Sequence, residues 1–116
     1  MLDQNLEKGK GYEAEVARAT QFIDNLPQAL DERMRKTPST WIDNWNNCGM
    51  AVYGSVDLLL LLRRSSLPEE IAGRLAASND LFMQEMKGAG RGEKTEEDLK
   101  ARVAEIKAIL EELQRS

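Results

Sequence analysis

Residues 39–66, STWIDNWNNCGMAVYGSVDLLLLLRRSS, form the one stretch of this 116-residue chain apolar enough to sit at the centre of a fold. Read as a helix, it carries Trp41, Trp45, Cys48, Val52, Val56 and Leu59 at steps of four and three, a single stripe at helical period. Leu58 to Leu62 then presents leucine on every side, and a helix end without a polar face has to be enclosed by other elements. The segment is therefore expected to be the central helix of a small bundle. Its early turns hold Asp43, Asn44, Asn46 and Asn47, whose side chains compete for nearby backbone groups. Gly49 and Gly54 weaken it further. Two outcomes are open: a continuous helix in which glycine lets a neighbour approach closely, or a break around Asn47 to Gly49.

Working outward, Thr37-Pro38-Ser39-Thr40 reads as a stop succeeded by a start. Proline disfavours helix in the residue before it, and Ser39 or Thr40 can cap the next helix. Upstream, Tyr12, Val16, Ala19, Ile23, Leu26, Leu30 and Met34 keep a step of four or three with charges between them, which predicts an amphipathic helix over 12–36. Pro27 removes one backbone hydrogen bond from it. A kink is expected there, or a break near Asp24-Asn25, and the unbroken apolar stripe favours the kink. Residues 1–11, polar and closing on Gly9-Lys10-Gly11, are expected to be a flexible segment.

Downstream, Ser66-Leu67-Pro68-Glu69 reads as a capping box, with Ser66 at the cap and Glu69 reaching back. The helix it opens, over 67–87, ends at Gly88 and leads into a flexible loop from Gly88 to Gly92. Thr95 with Asp98 is a second, weaker box. The last helix, over 95–114, spaces Leu99, Val103, Ile106, Leu110 and Leu113 at four, three, four and three, the seam of a coiled coil carried for about two heptads. The prediction is an all-α protein: residues 12–116 as one domain, an antiparallel up-down bundle of four helices.

Composition bounds the function. Hydrophobic residues make up 41% of the chain and charged residues 31%, ordinary for a globular domain. The formal net charge is -4 with the acidic excess spread along the chain, so the Lys/Arg-rich face that grips nucleic acid or anionic lipid is not evident. Cys48 is alone, which rules out an internal disulfide and makes a reduced cytoplasmic setting the default. Histidine is absent, which removes the material for the usual zinc, haem-histidine and Ser-His or Cys-His arrangements. The five-leucine run is far short of a membrane span.

Two segments resemble known motifs. Gly88-Ala89-Gly90-Arg91-Gly92-Glu93-Lys94-Thr95 is similar to a phosphate-binding Walker A loop, G-x-x-x-x-G-K-[ST], but has Glu93 where the glycine before the lysine belongs, and that carboxylate would repel an anion. Residues 68–85 resemble the helix-turn-helix of many bacterial DNA-binding regulators, with Ile71, Ala72, Leu75, Ala77 and Phe82 at its small or apolar positions. The segment departs from that motif at Ala76, where the turn glycine is usual, and at Glu85, a late core position. Its second half offers Asn79, Asp80, Gln84 and Glu85 and no cation before Lys87.

The reading that remains is a non-catalytic protein-protein interaction module: a small adaptor, accessory subunit or stoichiometric inhibitor of the kind phages and mobile elements encode. No catalytic residue, metal or cofactor is expected. The expected partner is a larger protein, a homodimer is a further option, and neither nucleic acid nor membrane is expected. The partner-binding candidates are Trp41 and Trp45, one turn apart, and the seam of Leu99, Val103, Ile106, Leu110 and Leu113. Packing of that seam inside the monomer is favoured over pairing with another chain. The alternative function is a nucleic-acid-associated regulator using residues 68–85.

Overall fold

Four helices account for nearly all of the computed structural model, which describes residues 11–36 and 40–116. They are α1 (Glu13–Lys36), α2 (Trp41–Arg63), α3 (Glu69–Gly90) and α4 (Glu96–Arg115), with a short 3-10 turn at Arg64–Ser66. The flexible segment expected over 1–11, apart from Gly11, and the cap at Ser39 lie outside the described residues.

Each helix packs on the next and α4 returns to α1, so the four form a ring. Antiparallel order is set by which ends meet. Glu15 near the start of α1 pairs with Arg63 at the end of α2 at 3.1 Å, and Arg74 early in α3 pairs with Glu112 late in α4. Tyr12 and Ser116 close the ring, with hydroxyl oxygens 3.4 Å apart. The chain is therefore the four-helix up-down bundle that its periodicity implies, with a core built from Val16, Ile23, Leu26, Val52, Leu59, Phe82 and the α4 stripe.

α1 continues through Pro27 as one helix, without a break at Asp24-Asn25. α2 is likewise unbroken. Thr40 caps it by accepting from the Asp43 N–H at 3.2 Å, and Asn47 turns its amide back onto the Asp43 carbonyl at 2.9 Å, a bond within the helix rather than one that opens it. Gly49 is buried against α3, where an added Cβ would come 2.8 Å from the Met86 sulfur and 3.2 Å from the Phe82 ring. Gly54, five residues on, faces open space.

The two glycines therefore respond oppositely to alanine. Gly54→Ala is expected to gain about 0.5–1 kcal/mol from lower unfolded-chain entropy. Gly49→Ala makes the same gain but overpacks the α2/α3 contact, for a net loss of about 1–2 kcal/mol. Urea midpoints of the two variants should fall on opposite sides of wild type, and equal midpoints would rule out the tight contact at Gly49.

Two expectations are corrected between α2 and α4. Ser66 does not cap α3. The chain tightens after Arg63 into the 3-10 turn that contains Ser66, Pro68 takes the cap position with no side-chain bond, and Glu69 meets Arg64 at 3.4 Å. The loop expected from Gly88 is shorter than predicted, because Gly88 and Ala89 are buried in the last turn of α3, which runs to Gly90. Thr95 and Asp98 do form the reciprocal box at the start of α4, at 2.9 and 3.3 Å.

The five-leucine run also differs from its reading. A helix in a four-membered ring touches only its two neighbours and the core, so its outer arc stays in water whatever residues stand there. Leu59 is fully buried and Leu60 partly, but Leu58, Leu61 and Leu62 are exposed, Leu61 at 78%.

Candidate interaction surfaces

Trp45 is inside the protein. Its side chain is 2% exposed, its ring stands edge-on to Phe82 (centroids 6.3 Å, planes at 81°), and its Nε1 donates to Glu96 in the first turn of α4 at 2.9 Å. Trp41, one turn earlier, is only partly buried against the same core. Leu99, Val103, Ile106, Leu110 and Leu113 are all buried within the chain, as is Ile109 beside them. The seam therefore holds α4 in the ring instead of facing out, and a partner reaching those side chains would first have to lift α4 off. Of the residues singled out in the sequence, Trp41 alone keeps substantial surface.

Trp41, Trp45 and Val103 do come together in one region. A cleft of about 230 Å³ between α1 and α4 is lined by Ile23, Leu26, Pro27, Leu30, Trp45 and Val103, with Lys100 and Ala104 at its α4 side. A second, of about 220 Å³, adjoins it through Leu30 and Trp45 and is walled by Met34, Trp41 and Glu96. Each is smaller than the usual small-molecule site of roughly 300–1,000 Å³. Among the described residues, Lys100 is the only ionisable side chain that lines the first.

The larger apolar surface is the outer arc of α2. Met50, Leu58, Leu61 and Leu62 are exposed, with Ala51 and Gly54 between them, and Asp57 is the only charge from Asn47 to Leu62. α1, α3 and α4 instead place several charges on their outer arcs. Sequence reasoning missed this face because it assigned the whole leucine run to the interior. The available signal was that five consecutive leucines after Asp57 cannot all point to one side of a helix.

Several titratable groups are shifted by contacts that hold the helices together or cap them. Burial pushes the Cys48 thiol up, against a smaller opposing effect of Arg33, which disfavours its thiolate form. A polar chain stitches α3 to α4: Ser78 donates to Glu105 at 2.6 Å, Arg102 bonds Glu105 at 2.5 Å and Glu85 at 2.9 Å, and Lys94 stands 3.9 Å from Glu85. The Ser78 hydroxyl, then Arg102, hold the Glu105 carboxyl below its ordinary range. The hydrogen bond from Arg74 does the same for Glu112, and the Thr95 backbone N–H for Asp98.

All three carboxyls are lowered on folding, so the folded state binds fewer protons than the unfolded chain. Their contribution to stability is present above the ordinary carboxylate range and is lost as pH falls through it. Denaturant midpoints are expected to be level from about pH 7 to about pH 5 and to drop below about pH 4.5. A midpoint that rises on acidification would contradict these assignments.

Neither resembled motif has the geometry its chemistry needs. Residues 69–90 are one uninterrupted helix, so there is no turn between two helices. Asn79, placed by the motif on a reading face, is 1% exposed and donates to the Tyr53 carbonyl of α2 at 3.2 Å. At Gly88 to Thr95, the Arg91 and Glu93 N–H groups bond the Gly88 carbonyl and Gly92 N–H bonds Ala89, with Gly92 at φ 78°. These N–H groups cap α3 and are not turned toward an anion.

Among the described residues, no three His, Cys, Asp or Glu side chains are grouped as a metal would need, and no helix is long and apolar enough to cross a membrane. Comparison with protein-family models, curated proteins and solved structures returns no match.

Proposed function

We propose that the chain is a non-catalytic protein-protein interaction module, an adaptor, accessory subunit or stoichiometric inhibitor, that engages a larger protein through the outer face of α2. The observation that carries this reading is the exposed row of Met50, Leu58, Leu61 and Leu62. Leu61 keeps most of its surface in water, where it adds little to the bundle, whereas fully burying such a side chain is worth about 1.5–3 kcal/mol and the half-covered Met50, Leu58 and Leu62 would add smaller gains. A contiguous apolar face of this kind marks an interaction site more often than isolated exposed leucines do. Trp41 is the second contact candidate, at the far end of the same helix.

The test compares partners captured by the tagged wild-type chain with those captured by Leu58→Lys/Leu61→Lys and by Trp41→Ala. The lysine double variant is expected to keep its melting temperature and lose a partner that wild type holds. An unchanged set of partners on a folded double variant would refute the α2 face as the contact.

A further inference from the structure

The groove between α1 and α2 is hollow toward both ends. At one end Ala14, Glu15 and Arg18 of α1 face Ser55 and Leu58 of α2 across a cleft of about 210 Å³. At the other, Ala29, Arg33 and Lys36 face Asn47 and Cys48 across one of about 490 Å³. Phe22 lies between them on the same side of α1, one turn after Arg18, and is 41% exposed. Leu58 and, one turn on, Leu62 are exposed on α2.

The cations of this groove have no partner of opposite charge. Arg18, Arg33 and Lys36 make no ion pair among the described residues, whereas most of the other Lys and Arg do. Arg33 is half-buried beside Cys48 with its Nε bonded to nothing. A guanidinium left in that state has its hydrogen-bonding capacity to offer to an incoming carboxylate. The groove's own acids are engaged: Glu15 with Arg63 at 3.1 Å, and Glu32 with the Gln28 amide at 3.2 Å. Arg33 and Lys36 also suit the last turn of α1, where cations complement the helix dipole, but Arg18 is in its second turn and has no such role.

We propose that the α1/α2 groove receives an amphipathic helix of a partner protein, apolar along its middle and acidic at both ends. This rests on the reading of α2 as a contact helix and names the chemistry of what it contacts.

From Arg18 to Lys36 the groove runs about 27 Å at 1.5 Å per residue, the length of a five-turn helix. Apolar side chains of the partner at three- and four-residue spacing cover Phe22, Leu58 and Leu62, while its acids meet Arg18 at one end and Arg33 and Lys36 at the other. The opposite flank of α2 has the wrong sign for this occupant. There burial, and then Asp57 and Asp80, push the Tyr53 hydroxyl up, so an acidic segment is repelled toward α3 and attracted toward α1. A second copy presenting the same groove would set these cations against one another.

Two peptides of about 18 residues test the proposal, both with leucine at three- and four-residue spacing on one face and with either glutamate or lysine in the first and last turns. Titrated into the isotope-labelled full chain, the glutamate peptide is expected to bind with a Kd of about 10–100 µM and to shift the amide signals of Arg18, Phe22, Arg33 and Leu58. The lysine peptide should bind at least about tenfold more weakly. Arg33→Glu/Lys36→Glu should weaken the glutamate peptide by about tenfold and strengthen the lysine peptide, and Arg18→Glu should act in the same direction from the other end. Phe22→Ala should weaken both peptides. If the glutamate pair lowers the melting temperature, Arg33→Gln/Lys36→Gln serves in its place and should narrow the difference between the peptides.

A glutamate peptide that does not bind, binds no better than the lysine peptide, or shifts signals of α3 and α4 instead overturns the proposal. A preference for the lysine peptide makes the occupant basic, and a chain already dimeric through Phe22 and Leu58 makes it a second copy; either result overturns it too. If the peptides fail but Leu58→Lys/Leu61→Lys still loses its captured partner, the proposed function stands and this inference fails. If the peptides behave as expected but capture by that variant is unchanged, the outer row of α2 is not the contact and the groove stands alone.

Discussion

Trp45→Ala is expected to lower the unfolding free energy by about 3–5 kcal/mol, a large part of the 5–15 kcal/mol that stabilises a typical domain. The side chain is almost fully buried, packs edge-on against Phe82 from α3, and reaches across the ring to bond Glu96 on α4. Removing it opens a cavity touching three helices and frees the first turn of α4. Trp45→Phe separates the two contributions: it keeps an apolar ring but drops the hydrogen bond, and because Glu96 is partly exposed and can rehydrate, the cost should be about 1–2 kcal/mol. Trp41→Ala, at a half-buried position, should fall in the same range. Urea unfolding monitored by circular dichroism measures all three. A loss below about 1 kcal/mol for Trp45→Ala would mean that the ring does not hold the core and would return it to the set of contact residues. The expected result bears on function directly, since loss of a partner by a Trp45→Ala chain would report unfolding. Substitutions at Leu58 and Leu61 do not share that ambiguity.

What was legible in the sequence is what depends on neighbours along the chain. The Tyr12-to-Met34 row, the α2 stripe and the Leu99-to-Leu113 seam are local periodicities, and each becomes the inward side of a helix except at Met34, which is exposed near the end of α1. The cap of α2, read at Ser39 or Thr40 and found at Thr40, and the box at Thr95 are contacts over three residues, and both form. The Ser66 box fails for an equally local reason. Leu67, between the cap and Pro68, is drawn into the core, and the 3-10 turn that lets it point inward moves the start of α3 past Ser66.

The features illegible in the sequence all depend on residues far apart. The Trp45 to Glu96 bond spans 51 positions, and the Ser78 to Glu105 bond spans 27. No spacing rule announces them. The fate of the leucine run depended on how many helices would surround α2. Two neighbours and a core bury Leu59 and leave Leu61 in water. The candidate site shifted accordingly: residues that looked surplus because they were large turned out to fill the interior, and the surplus lies on the arc that the ring cannot cover.

Leu110→Ala tests that division from the inside. Leu110 is fully buried between Ile106 and Leu113 on the stripe that α4 turns toward the other helices. The substitution is expected to cost about 2–5 kcal/mol, from lost burial and from a cavity whose lining is itself too well packed to collapse. Leu61→Ala, on the opposite kind of surface, should leave the stability of the monomer within about 0.5 kcal/mol of wild type. The loss caused by Leu110→Ala should be the same at every protein concentration, since the contacts it breaks lie within one chain. If the seam instead joined two chains, the unfolding midpoint of the wild-type chain would rise with concentration, and Leu110→Ala would abolish that rise. A concentration-independent loss of several kcal/mol assigns the α4 stripe to the core and leaves α2 as the helix with apolar surface to offer.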